Sequence, residues 1–277
     1  MKNYLKLVHF ELNRFIKIYV TLISVTIISQ FTGVFLQSRN HVAFVSRTLQ
    51  EESLSIKQFY LNYSPFTMVN ITNSSWFIIP IVFSVAALVF YSFFIWYRDW
   101  FGKNVFIYRL LMLPTNRITL FFSKLTSIFL MVLGLVASQL ILLPVESALF
   151  NQLLPDYLRY NLSTRTIISS SEYLAFLFPD SFIQFLIHYG LGLLILIVLF
   201  TVILFERSFH LKGILYGGLF GAGTLFLMLS PFIIQAQLNI YYLYPSENVV
   251  IELILGIFIA ALCTWVSHYL LNKKITV

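Results

Sequence analysis

Side chains able to carry out chemistry are few in this sequence, and they are scattered. His188, Glu252 and His268 lie within or near the ends of long apolar runs. An ionisable residue inside a membrane segment is a functional candidate by default, but both histidines lack an evident carboxylate partner in the sequence. We therefore expect a structural or interfacial role for each histidine and a headgroup contact for Glu252. The single cysteine, Cys263, can form no disulfide within the chain and is expected to be a buried, inert thiol.

The motifs on which catalysis usually depends are missing from the sequence. The phosphate-binding pattern G-x-x-x-x-G-K-[ST] does not occur, and its nearest approach, Gly102-Lys103-Asn104, lacks the leading glycine and the hydroxyl residue. H-E-x-x-H and G-x-S-x-G are absent, and no His, Cys or Asp cluster has metal-ligand spacing. We therefore predict that the chain is not an enzyme and that it has no cofactor or metal site of its own.

The elements that position these residues are predicted to be membrane spans. The 277 residues are 59% hydrophobic and only 10% charged, which is more apolar than an ordinary soluble domain. Because a bilayer offers no water to backbone groups, a span of ~20 apolar residues must be helical. The sequence predicts an all-α integral membrane protein, multi-pass in the cell membrane. Its six spans cover about 18–36, 76–97, 125–143, 182–205, 213–234 and 249–271.

The basic residues predict the orientation of the spans. With the N-terminus inside, 13 of the 18 Lys and Arg residues lie on the inner side, and five lie in two long outer segments. Both termini are then cytoplasmic, the inner loop is 98–124, and the outer segments are 37–75, 144–181 and 235–248. This asymmetry accounts for the net charge of +7, so we expect no nucleic-acid partner.

Residues 1–17 predict an amphipathic helix on the inner leaflet. Leu5, Val8, Leu12 and Phe15 share one face, and a basic amphipathic helix before a span is expected to lie in the interfacial plane. The alternative is a helical extension of the first span. The opposite face carries Lys2, Lys6, His9, Asn13 and Lys17.

Two further patterns predict packing. In the fifth span, Gly213, Gly217 and Gly221 recur every four residues, which lets helix backbones approach closely in lipid; the contact lies either within one subunit or between two. In the second outer segment, Ser169 and Glu172 predict a capping box that opens a short helix. That helix is either amphipathic or re-entrant at the outer surface, or part of a soluble lid.

The inner loop is longer and more basic than a simple connection needs. A helix over roughly 103–112 is expected to end before Pro114, because proline is disfavoured within a helix. Two interpretations compete: the charges only set the topology, or the helix docks a partner. The length of the loop and the proline turn favour docking. The predicted contacts are Phe106, Tyr108, Leu111 and Met112, with Lys103 and Arg109 as charged groups.

At this point the chain resembles the type-2 ABC exporter permeases. Their pattern between the second and third spans is an acidic-basic pair, a short coupling helix, a Leu-Pro-x-x-Arg turn and a Lys that opens the third span. Here Tyr97-Arg98-Asp99, Gly102-Lys103, Leu113-Pro114-Thr115-Asn116-Arg117 and Ser123-Lys124 match it, although the family tends to have Glu-Arg followed by Gly-Thr. The resemblance implies an ATPase-docking loop that contains Arg98, Asp99, Lys103, Phe106, Tyr108, Arg109, Leu113, Pro114 and Arg117.

The resemblance also implies a function. The chain would be the permease subunit of an ATP-driven exporter that moves an amphipathic or hydrophobic substrate, best guessed as an antimicrobial-type peptide. It would pair with a second permease subunit, the same or related, with the first and fifth spans meeting between them. ATP and Mg²⁺ would bind the separate ATPase subunit. Two alternatives remain at this stage: a non-transporting immunity or sensor protein that binds a toxic peptide, and a membrane-embedded enzyme that uses His188 or His268.

Overall fold

The computed structural model describes residues 2–52, 59, 63, 65–101, 106–112, 115–238 and 244–275. Within these ranges the chain forms helices and no strand, with one isolated bridge between Phe66 and Arg159. The helices are α1 Lys2–Glu51, α2 Met68–Thr72, α3 Ser75–Trp100, α4 Phe106–Leu111, α5 Ile118–Leu153, α6 Thr164–Ser170, α7 Glu172–Leu177, α8 Phe182–Phe209, α9 Leu211–Leu238 and α10 Pro245–Tyr269. A 3₁₀ turn at Asp156–Leu158 and a π turn at Leu270–Lys274 complete the described elements.

Six of these helices are long and apolar enough to cross a membrane: α1, α3, α5, α8, α9 and α10. Each contains one of the six apolar runs in the sequence. The prediction of an all-α membrane protein with six spans is therefore confirmed. The agreement follows from physical chemistry, since a chain segment without polar side chains can satisfy its backbone in lipid only by forming its own helical hydrogen bonds.

α1 differs from the expectation that a separate helix precedes the first span. It runs without a break through 50 residues, a length of about 75 Å at 1.5 Å per residue, which is more than twice the ~30 Å hydrocarbon layer. The helical extension of the first span is therefore what the structure has. The segment contains no proline, and its one glycine, Gly33, lies well after residue 17. Of the predicted apolar face, Val8 and Phe15 are buried, Leu12 is half-buried and Leu5 is exposed.

The helices form two compact units. The first comprises Met1–Asn13, Val89–Leu130 and Ser181–Val277, and the second Arg14–Leu88 and Met131–Asp180. In the second unit, α2, α6 and α7 pack with the later parts of α1 and α5 around one apolar core. That core contains Val34, Val45, Phe59, Met68, Ile71, Phe77, Leu143, Phe150, Leu154, Leu158, Ile167 and Leu174. The first two predicted outer segments thus contribute packed helices to this unit.

Hydrogen bonds fix the short helices of the second unit. The Tyr173 hydroxyl on α7 donates to the Thr72 carbonyl at the end of α2, and the Thr72 and Ser171 hydroxyls are 3.0 Å apart. Burial raises the pKa of Tyr173 above its ordinary value, so the phenol stays a donor. The predicted capping box at Ser169 is wrong: Ser171 precedes Glu172 as the N-cap residue of α7, and Ser169 lies inside α6.

The glycines of α9 pack against α8 within the same chain. The α8–α9 turn passes through His210, whose φ of 54° is left-handed. A Cβ at Gly213 would meet the Glu206 Cα at 2.7 Å, and one at Gly217 would meet the Val202 carbonyl oxygen at 3.1 Å. Gly221 is in ordinary contact distance of Val202. This face therefore serves contact between neighbouring helices of one subunit.

Candidate partner-docking site

In the described part of the chain, four charged side chains form a network where the inner loop begins, and all but Arg98 are buried. The Lys124 ammonium on α5 donates to Glu11 Oε1 at 2.7 Å, to the Ile95 carbonyl at 3.1 Å and to the Asp99 carboxylate. Arg98 Nη2 donates to Glu11 Oε2 at 2.8 Å. Lys124 and Asp99 are fully buried. Among the described residues, the network contains two acids and two bases, and it joins α1, α3 and α5.

The network shows what Arg98 and Asp99 contact. Both were predicted as ATPase-docking residues, yet Asp99 is fully buried against Lys124, and Arg98 is held by Glu11. Their side chains fix where α3 ends relative to α1 and α5, because a buried charge is stable only beside its partner. Sequence reasoning missed Glu11. The available signal was its position three residues after Val8 and four before Phe15, on the apolar face of α1.

α4 has an inner and an outer face. Ile107, Leu110 and Leu111 are buried, and the Phe106 ring stacks on Phe10 of α1 with 5.8 Å between the ring centroids. Phe106 and Leu111 therefore pack within the subunit, although both were predicted as partner contacts. This packing fixes the orientation of the helix in the first unit.

The outer face of α4 carries the remaining predicted contacts. Tyr108, Arg109 and Met112 are exposed, the last to 70%. The structure thus presents an aromatic, a cationic and a flexible apolar side chain on one turn of helix. Lys103, Leu113 and Pro114, also predicted to dock, lie outside the described residues.

Arg117 joins the inner loop to the π turn that follows α10. Its Nη1 donates to the carbonyls of Leu271 and Ile275, each at 2.7 Å. The last carbonyls of a helix have no partner within the helix, and a basic side chain there is also favoured by the helix dipole. Leu270, Leu271 and Ile275 are buried, so this end of the chain packs into the first unit.

An open cleft of about 790 Å³ lies where the starts of α1 and α5 meet. Tyr4 lines it, and the Tyr4 hydroxyl also forms a hydrogen bond with the Thr126 hydroxyl. Its described lining residues offer hydroxyl and amide groups beside apolar surface. Its members are Asn3, Tyr4, Thr115, Asn116, Ile118, Thr119 and Phe122.

The acids near these helix ends are used internally. Glu11 and Asp99 belong to the buried network, and Glu206 accepts a hydrogen bond from the Tyr97 hydroxyl. Arg207 lies over the rings of Tyr97, Trp100 and Phe101 at 4.6 to 5.8 Å. In the part of the chain that the structure describes, the exposed cations Lys6, Arg109, Lys212 and Lys273 have no acid within ion-pair distance. Among the described residues near these helix ends, the exposed charged side chains without an ion-pair partner are therefore cations.

The residues first considered for chemistry are dispersed in the structure. His268 is exposed, and its Nε2 lies 3.1 Å from the Asn272 amide nitrogen. His188 and Glu252 are half-buried on α8 and α10, and Cys263 is fully buried on α10, as a structural thiol would be. None of these positions lies in the cleft or on α4.

Comparison with known proteins identifies no relative: no family model, no curated protein and no solved structure matches the chain.

Proposed function

We propose that this chain is the permease subunit of an ATP-driven ABC exporter in the cell membrane, and that a separate ATPase docks on α4. The observation that carries the proposal is the two-sided character of this helix. Ile107 and Leu110 are buried, while Tyr108, Arg109 and Met112 are exposed. The Tyr108 ring also lies edge-on to Trp100 of α3, with 6.4 Å between the ring centroids. A loop that only reverses the chain needs no fixed helix with such a face. Aromatic, Met and Arg side chains are also the ones enriched in protein interfaces.

The buried network supplies a route for coupling. α4 follows α3 and precedes α5, and Lys124 ties the adjoining ends of both to Glu11 of α1. A closure of the ATPase that displaces α4 would therefore move three spans together. Arg117 adds α10 through its two carbonyl contacts. Close-packed elements transmit such displacements because they have little free volume to absorb them.

The proposal includes the partners and the cargo. ATP and Mg²⁺ bind the ATPase subunit, and a second permease subunit, the same or related, completes the path. The proposed substrate is an amphipathic, antimicrobial-type peptide. Deletion of the chain should then raise the sensitivity of its host to that peptide, and transport should require ATP.

Two substitutions on the outer face of α4 test docking. We expect Tyr108→Ala with Arg109→Glu to insert and fold normally but to retain the ATPase poorly. An aromatic hot spot is worth ~2 kcal/mol, which is about 30-fold in affinity. The matched control is Arg165→Glu, at an exposed position of α6 in the second unit, which makes the same charge change. If the double variant holds its ATPase as tightly as the control does, α4 is a topology signal only.

The second unit supports one other function, a non-transporting immunity or sensor protein. The residues predicted to lie outside form a packed core between α2, α5, α6 and α7, which is a suitable scaffold for recognising an external peptide. Protection of cells by the chain in the absence of any ATPase subunit would favour this alternative. Protection that disappears when ATP hydrolysis is blocked would favour export.

A further inference from the structure

Glu146 of α5 is a buried carboxylate in the apolar core of the second unit. It comes three residues after Leu143 and four before Phe150, so it shares the helix face that packs into that core. Its exposed fraction is 0%. Neither Oε1 nor Oε2 has a hydrogen-bond partner among the described residues. Asp99 of the first unit is equally buried but pairs with Lys124, so an ionised Glu146 would lack the compensation that Asp99 has.

The elements packed around Glu146 bring no cation into contact with it within the described residues. Tyr173 of α7 is an ionisable side chain on which its charge acts, and the Tyr173 hydroxyl already donates to the Thr72 carbonyl. His41 of α1 is half-buried, and its ring stacks 4.2 Å from that of Phe66. α2 and residues 75–88 of α3 contain no charged residue. After α5, Arg159 pairs with Asp156, and the other charged residues of this part of α1, α6 and α7 are exposed: Arg39, Arg47, Glu51, Arg165 and Glu172.

This environment selects a proton as the occupant. A buried negative charge is neutralised by a cationic side chain, a metal ion or a proton, and the first is missing among the described contacts. A metal ion needs several ligand atoms, yet no group of three His, Cys, Asp or Glu side chains occurs among the described residues. The hydroxyls of Thr72 and Ser171, beside Tyr173, lie 3.0 Å apart and are directed at each other. A proton needs one carboxylate only.

We propose that Glu146 is a proton-binding site, and that release of its proton loosens the packing of α2, α6 and α7 against α1 and α5. With the proton bound, the carboxyl group is neutral and compatible with its apolar neighbours. On release, the O–H bond breaks, the electron pair stays on the carboxylate and the proton passes to water. The ionised group then requires hydration, which the closed core does not offer. The site lies wholly within the second unit and does not depend on the identity of any partner.

Tyr173 connects the site to the short helices. Its hydroxyl holds α7 to the end of α2, and the charge of Glu146 acts on the same phenol. Ionisation of Glu146 therefore disturbs the contact at which α7 meets α2. Because residues 144–181 are predicted to lie outside, we expect the proton to exchange with the outer side, so that an alkaline exterior loosens this unit.

The sign of the pH dependence follows from the two states. In the closed core Glu146 holds a proton, whereas in an opened core it meets water and ionises as an ordinary glutamate does, near a pKa of about 4.3. The closed state thus binds one proton more, and its stability falls as the pH rises above that value. One proton changes the ratio of closed to open protein roughly tenfold per pH unit. Glu146→Gln keeps the shape of the neutral acid and removes this dependence.

A thiol in the core measures the opening. In a Cys263→Ala background, Leu174→Cys places the only thiol at a fully buried position of α7. Its labelling by a maleimide in detergent is followed at about pH 6 and about pH 8, both above the ordinary glutamate range. The same protein with Glu146→Gln is compared at each pH, so the ionisation of the thiol itself cancels in the ratio of rates. The matched control is Glu51→Gln, the same change at an exposed acid of the same unit.

We expect the labelling rate of the Glu146 protein, divided by that of Glu146→Gln, to rise at least tenfold between the two pH values. The ratio for Glu51→Gln should stay constant. A smaller rise, or faster labelling of Glu146→Gln than of the Glu146 protein, would overturn the proposal. Sodium, potassium, magnesium or calcium chloride should protect no more than choline chloride at equal ionic strength. Protection by a metal ion that disappears in Glu146→Gln would assign the site to that ion and contradict a proton.

Infrared spectroscopy of the full chain, without the added cysteine, detects the proton itself. At a pH where exposed carboxylates are ionised, we expect the C=O stretch of a protonated carboxylic acid. Glu146→Gln should remove this band, and Glu51→Gln should retain it. A Glu146 protein without the band, or a band that persists in Glu146→Gln at full strength, would show that Glu146 is ionised and that the assignment is wrong.

Discussion

Replacing Lys124 by methionine tests the buried network most sharply. Methionine keeps most of the length and apolar stem of the lysine but removes its ammonium group, which contacts Glu11, Asp99 and the Ile95 carbonyl. Arg98 still neutralises Glu11. Asp99, which is fully buried, loses its ion-pair partner Lys124. The network then has one positive charge fewer beside Asp99 and Glu11.

The magnitude follows from that burial. Removing one partner of a buried ion pair typically costs ~3–5 kcal/mol, because the remaining charge stays desolvated. This is roughly a hundredfold to a few thousandfold in the equilibrium between folded and unfolded protein. We therefore expect Lys124→Met to be among the most destabilising single changes in the first unit. Adding Asp99→Asn removes the negative charge that faced Lys124 and should recover more than half of the loss.

The assay uses the buried thiol of Cys263, the only cysteine in the chain. Its rate of reaction with a thiol-reactive dye in detergent reports exposure as temperature or denaturant is raised. The control, Lys212→Met, removes the same charge from an exposed residue, and exposed substitutions usually change stability by less than about 0.5 kcal/mol. If Lys124→Met protects the thiol as well as Lys212→Met does, or if Asp99→Asn makes the single variant worse, the network is not a stabilising ion-pair cluster.

Three further predictions follow from the packing. Gly217→Leu should destabilise the protein by ~1–3 kcal/mol, since the new side chain meets the Val202 backbone. The control is Gly218→Leu, where a Cβ meets nothing within 4 Å, and it should leave the thiol-exposure curve unchanged. Equal losses of stability in the two variants would contradict the assigned α8–α9 contact. Arg117→Ala should remove the two hydrogen bonds to the Leu271 and Ile275 carbonyls and so speed amide exchange after Leu271. An unchanged exchange rate would contradict a stabilising role for these bonds. Tyr173→Phe should cost ~1 kcal/mol through the lost hydrogen bond to the Thr72 carbonyl, and a stability equal to that of the parent would remove that bond from the account.

The spans were predictable because hydropathy is a local property. Each apolar run, such as 182–205 within α8, is long enough to cross the bilayer, where its backbone can be hydrogen-bonded only as a helix. The length of α1 was not predictable in the same way. The polar residues after Leu36 suggested an outer loop, but they continue the helix to Glu51, because its later residues, including Val45, pack into the core of the second unit.

The contacts at the candidate docking site could not be predicted from the sequence because they join residues far apart in the chain. The sequence predicts Lys124 only as a charge at the start of the third span, but its partners Glu11 and Asp99 come from two other helices. Arg117 binds backbone carbonyls about 150 positions later, and a carbonyl has no sequence signature. The inward side of α4 was equally hidden, since Phe106 and Tyr108 are both aromatic and only the tertiary packing separates them.

The most direct test of the central claim is whether a subunit that hydrolyses ATP co-purifies with the chain. The chain is tagged at its C-terminus, extracted from its native membrane in mild detergent and assayed for ATPase activity, with the Tyr108→Ala, Arg109→Glu variant purified in parallel. The account predicts a bound subunit with a phosphate-binding loop and measurable hydrolysis in the unmodified sample, and loss of both in the variant. An unmodified chain that purifies intact, without such a subunit and without hydrolysis, would contradict the assignment as an exporter permease.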